Sequence, residues 1–118
     1  MDIEYWKEKL HRVRERKNDQ SIAEMETAAT NAIFKALKQY PYQYDKKNNG
    51  YQLSKILETK EIYCVGFSLL GHTFLDELQI KHKGLNIINH SALKVEIGNN
   101  LYFFDAASYD DRILPFKR

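Results

Sequence analysis

Three residues in this chain of 118 have types and spacing that add up to a reaction: Cys64, His90 and Asp105. Cys64 is the only cysteine. It stands near the head of the most apolar run, Tyr63–Leu78, YCVGFSLLGHTFLDEL. A thiol in the first turn of a helix meets free amide donors and the positive end of the helix dipole, and both favour the thiolate. His90 then takes the thiol proton or stands as an imidazolium beside the thiolate, and Asp105 fixes its tautomer and stabilises the charged ring. Taken singly, each residue has a plainer reading: a space-filling buried cysteine, a surface histidine at a strand start, an aspartate capping a turn. The chemistry needs all three together.

Bringing them together is a question of hairpin parity. HSALKVEI, 90–97, alternates and is rich in branched side chains, which predicts a strand. Gly98-Asn99-Asn100 predicts a turn, since Gly and Asn accept positive φ, and LYFFD, 101–105, is the returning strand. A two-residue Gly98–Asn99 turn makes Ala92 face Asp105 and leaves His90 as the diagonal neighbour, roughly 7–8 Å away at Cα and within reach of the carboxylate. A three-residue loop separates them. The opposite face then carries Leu93, Val95, Ile97, Tyr102 and Phe104, which need a cover from the N-terminal helices or from a second copy of the chain.

The other elements follow from periodicity. Residues 1–20 hold an amphipathic helix over 2–17, with Ile3, Trp6, Leu10 and Val13 as its stripe and Lys, Arg and Glu elsewhere. It reads as a surface helix laid on the core, with a basic docking helix as the alternative. Ser21-x-x-Glu24 is a capping box that starts a second helix from about Ile22. Its stripe is Ile22, Met25, Ala29, Ala32, Ile33, Ala36, Leu37 and Tyr40, and Pro41 ends it. YPYQYDKKNNGY reads as a loop, and Leu53–Thr59 as a short helix. The Tyr63–Leu78 run is apolar around nearly the whole helical wheel, the mark of a core helix, and Gly66 and Gly71 leave room in it for close backbone packing. Gln79–Leu85 is expected to hold a short strand and a glycine turn. The sum is an α+β domain spanning 1–118: N-terminal helices plus a buried Cys-bearing helix packed on a small antiparallel sheet.

Composition bounds the function. A 43% apolar and 29% charged chain is ordinary for a globular domain, and a net charge of +2 with no nucleic-acid-reading motif does not point to DNA or RNA. One cysteine excludes an intrachain disulfide and a multi-cysteine zinc site. His72 and His82 form neither an HxxxH nor an HExxH pair, so no metal or other cofactor is expected. The apolar runs are too short to cross a bilayer and the N-terminus does not read as a signal peptide, so the expected setting is cytoplasmic with a reduced thiol.

The segment from about Ile33 to Asp110 resembles the transglutaminase-like superfamily of papain-type thiol enzymes. The resemblance rests on YCVGFSLLGHTFLDELQI, HSALKVEI and YFFDA, that is, a Cys at a helix N-terminus, a His opening a strand and an Asp ending the next. It implies thiol-dependent acyl transfer on an amide, by hydrolysis or transglutamination, with Cys64, His90 and Asp105 as the triad and a protein or peptide as substrate. The chain departs from the family pattern at Ile62, where a Gly is frequent, at Ala92, where an aromatic is frequent, and at Ala106, where a Pro is common. The Cys64 amide is the expected oxyanion donor, with Tyr63 or Gln52 as a second. The alternative is a non-catalytic binding, regulatory or effector-type module on the same scaffold.

Overall fold

The computed structural model describes residues 2–39, 42–43, 62–87, 90–108 and 110–116. Its first helix, α1 (Ile3–Glu15), is capped by Asp2, whose carboxylate accepts the Tyr5 amide at 3.1 Å. Leu10 and Val13 are buried and Ile3 and Trp6 half-buried, so the apolar stripe read from the sequence is the face laid on the core. Its polar side ties it to two other helices. The Lys7 ammonium donates to Glu77 at 2.7 Å, and that bond, with the charge of Glu4 added, holds Lys7 above its ordinary pKa.

The second helix, α2 (Asp19–Leu37), begins earlier than the capping box suggests. Asn18 is the N-cap, and its side-chain oxygen accepts the Ser21 amide at 3.0 Å. Asn and Ser are about equal as caps, so here the first residue able to take the role starts the helix. Ala29, Ile33 and Leu37 are buried as expected, together with Thr30 and Phe34, whereas Ile22, Met25, Ala32 and Ala36 are only half-buried. Tyr40 lies outside the described residues. Within the predicted loop, β1 (Tyr42–Gln43) pairs in parallel with β2 (Ile62–Tyr63). The Leu53–Thr59 helix and Gln52 fall outside the described residues.

The third helix, α3 (Cys64–Glu77), opens on the cysteine itself. Phe67, Gly71, Leu75 and Leu78 line its buried side, but Leu69 is half exposed and His72, Thr73, Asp76 and Glu77 face outward. The helix is therefore one-sided and not buried all round. Its apolar outer residue, Leu69, blurred that distinction in the sequence.

The chain turns from α3 into the sheet through a left-handed residue. Gln79 has φ 57°, the Ile80 amide donates to the Leu75 carbonyl at 2.9 Å and the Gln79 amide to that of Asp76 at 3.0 Å. This is a Schellman closure with Ile80 and Leu75 as its buried apolar contact. The turn is built on Gln79, and Gly84, assigned to it in the sequence reading, lies within β3 (His82–Ile87). β3, β4 (His90–Ile97), β5 (Asn100–Phe104) and β6 (Leu114–Pro115) form an antiparallel sheet in chain order.

The cover over the sheet comes from within the chain. α3 packs on β4, and Phe34 of α2, Phe67 of α3 and Phe104 of β5 meet as three rings with centroids 5.1–5.7 Å apart. Leu93, Val95, Ile97 and Phe104 are all buried beneath these helices. The fold is thus a small α+β domain with three helices among the described residues and a four-stranded antiparallel sheet. No described helix is long and apolar enough to cross a membrane.

Gly71 is the point of closest approach, since a Cβ there would lie 2.5 Å from a Phe104 ring carbon and 3.1 Å from a Leu93 methyl. Phe104 is fully buried and has nowhere to go. Gly71→Ala is therefore expected to lose about 1–3 kcal/mol despite the better helix propensity of alanine, measured by urea unfolding. Gln79→Gly is expected to gain up to about 1 kcal/mol in the same assay, because glycine adopts the left-handed turn without a Cβ penalty.

Candidate active site

The hairpin forms with the two-residue Gly98–Asn99 turn. Ile97 pairs with Asn100 and Leu93 with Phe104, a register whose next step sets Ala92 opposite Asp105. Gly98 has φ 60°, the conformation this turn demands. His90, two residues before Ala92, is thereby the diagonal neighbour of Asp105.

The side chains close that diagonal. His90 Nε2 lies 2.6 Å from Asp105 Oδ1, with the two side chains 17% and 23% exposed. A carboxylate only accepts, so the proton of the imidazole sits on Nε2 and Nδ1 is the nitrogen left for another partner. The same Asp105 oxygen accepts the Ala107 amide at 2.9 Å, so the carboxylate is fixed from two sides. Its loop is held in turn. The Lys38 ammonium, just beyond α2, donates to the carbonyl of Ala106 at 3.0 Å and to that of Ser108. Farther along, the Ile113 amide donates to Asn31 at 2.8 Å.

Cys64 is the first residue of α3, and β2 delivers the chain to it with Tyr63 immediately before. Among the described side chains, then, His90 and Asp105 are brought together. The Cys64 and Tyr63 side chains lie outside the described residues, as does Gln52.

A second constellation escaped the sequence reading. His82 opens β3 with its imidazole buried, and His72 and Asp76 reach it from α3. The signal was there in part: His72 and Asp76 stand four residues apart and so share a helix face. What brings His82 to them is the left-handed Gln79, which no residue type announced.

Comparison with family models, with curated proteins and with solved structures gave no match to this chain.

Removing the carboxylate should release the imidazole. In nitrogen-resolved NMR spectra of the ring, the wild type is expected to show His90 as the Nε2–H tautomer with a slowly exchanging proton. Asp105→Asn is expected to perturb that tautomer and speed the exchange, because the amide can present its NH2 in place of an acceptor.

Proposed function

We propose that this protein is a thiol-dependent acyl-transfer enzyme acting on amides of proteins or peptides, on a transglutaminase-like core. The observation that carries the proposal is the His90–Asp105 bond, which buttresses the imidazole through Nε2 and leaves Nδ1 without a partner among the described residues. The placement of the only cysteine at the first position of α3 supports it.

In this reading the Cys64 thiol gives its proton to His90 Nδ1, and the sulfur attacks the amide carbonyl. Backbone amides at the start of α3, with Tyr63 or Gln52 as a further donor, stabilise the developing oxyanion. The tetrahedral adduct collapses to a thioester as the C–N bond breaks, and His90 returns the proton to the leaving amine. Water or a second amine, deprotonated by the same ring, then attacks the thioester and restores the thiol. A sheltered cleft favours the amine acceptor and an open one favours water. Asp105 holds the ring in register throughout and compensates the imidazolium charge. The reading requires no cofactor, nucleic acid or membrane, and a reducing cytoplasm suits the free thiol.

Alkylation separates this from a non-catalytic scaffold. Cys64 is expected to react with iodoacetamide at pH 6 faster than a free model thiol, and His90→Ala to abolish that excess. Against amide substrates, Cys64→Ala is expected to be inactive, and His90→Ala to lower turnover by about 10²–10⁴-fold. Labelling no faster than a model thiol, and unchanged in His90→Ala, would reject the ion pair and leave a binding module as the better account.

A further inference from the structure

The strongest unassigned cluster lies toward the other end of α3 from Cys64. His72 Nδ1 is 2.6 Å from His82 Nε2, His72 Nε2 is 3.2 Å from Asp76 Oδ2, and His82 Nε2 is 3.5 Å from Asp76 Oδ1. The three ligand atoms lie within 4.8 Å of one another. The remaining nitrogen of His82, Nδ1, sits 2.8 Å from the Ile80 carbonyl oxygen.

Proton accounting makes this cluster more than a surface contact. The Ile80 carbonyl can only accept, so Nδ1 of His82 bears a hydrogen and, in the neutral ring, Nε2 is a lone pair. His72 Nδ1 stands 2.6 Å from that nitrogen, and the Asp76 carboxylate lies beside the His72 ring, 3.2 Å from Nε2. Two ring nitrogens and a carboxylate converging in this way suit a cation held between them. His82 is already in the state a ligand needs, with its metal-facing nitrogen bare and the opposite N–H bonded to a backbone carbonyl. Its side chain is 5% exposed, which fixes the ring, whereas His72 and Asp76 are exposed enough to adjust.

We propose that His72 Nδ1, His82 Nε2 and Asp76 Oδ1 form a binding site for a zinc-class divalent transition ion. His82 keeps the Ile80 carbonyl as the outer partner of its Nδ1–H. Two imidazoles and one carboxylate suit zinc, cobalt, nickel or copper and disfavour calcium and magnesium, which prefer all-oxygen shells. Ligand nitrogens around a tetrahedral zinc stand about 3.3 Å apart, so the two rings need to open by under 1 Å, a movement the exposed His72 side chain supplies. Three protein ligands leave a fourth position for water or for a donor from a bound molecule. The ion would clamp the second half of α3 to the start of β3. The site is separate from Cys64, which stands in the first turn of the helix.

The test is zinc titration of the full chain in a Cys64→Ser background, which removes the thiol as a competing ligand. Calorimetry is expected to show one saturable zinc per chain, with calcium and magnesium silent. His72→Ala and Asp76→Asn, both on exposed positions that leave the core intact, are each expected to weaken zinc at least about tenfold. Zinc is expected to raise the melting temperature of the parent but not of His72→Ala. His90→Ala is expected to leave zinc affinity unchanged. Absence of saturable binding, equal affinity in His72→Ala, or loss of binding in His90→Ala instead would each overturn the site.

Discussion

The meeting of Phe34, Phe67 and Phe104 is the contact on which everything else hangs. Each ring comes from a different element, and each is buried. Two of the three pairs are edge-on and the Phe67–Phe104 pair is tilted, and aromatic pairs of this kind add roughly 0.5–1.5 kcal/mol each to the burial itself. Its geometry depends on Gly71, which lets α3 come down onto β4 and β5 until a Cβ would overlap the Phe104 ring. The helix that carries Cys64 and the hairpin that carries His90 and Asp105 are therefore set against one another by a hydrophobic constraint that contains no functional residue. The relative placement of these elements is a by-product of core packing.

Around that constraint, polar contacts do the fine positioning. Lys38 clamps the loop after Asp105, and the Ala107 amide clamps the carboxylate itself. These are charged or backbone partners in half-buried surroundings, where hydrogen bonds to charged groups are worth more than neutral ones on the surface. By contrast, the exposed pairs on α1, such as Glu8 with Arg12, decorate a solvated face and carry little energy. The structure spends its directed interactions near the dyad and at the α3–β3 corner.

Much of this could be read in the residues beforehand, and the exceptions have a common cause. β4 is legible from its alternation, and Gly98–Asn99 fixes the parity that joins His90 to Asp105, because side chains in a strand repeat every two residues without ambiguity. The α1 stripe and the start of α3 at Cys64 were equally plain. Three features were not. Asn18 pre-empted the Ser21 cap, Gln79 took a left-handed turn usually given to glycine, and Phe34 joined the core from a helix whose stripe was drawn through smaller residues. In each case the position was settled by a tertiary contact or by competition between near-equal local choices. The His72–Asp76–His82 cluster was hidden for the same reason, since only the Gln79 turn folds His82 back onto α3.

The connectivity of the sheet has a consequence for how the molecule assembles. Strands β3 to β6 follow one another in space as they do in the chain, so each closes only a short loop. Closing a longer loop costs more chain entropy, and topologies of local pairings reach their native state sooner. Among the long-range links are two from α2 and its C-cap to the C-terminal segment: Lys38 to Ala106 across 68 positions and Asn31 to Ile113 across 82. These are the links that steady the loop bearing Asp105. A chain whose hairpins have formed but whose two halves have not docked holds the strands without a steadied Asp105 loop, so the His90–Asp105 contact is fixed only once the halves meet.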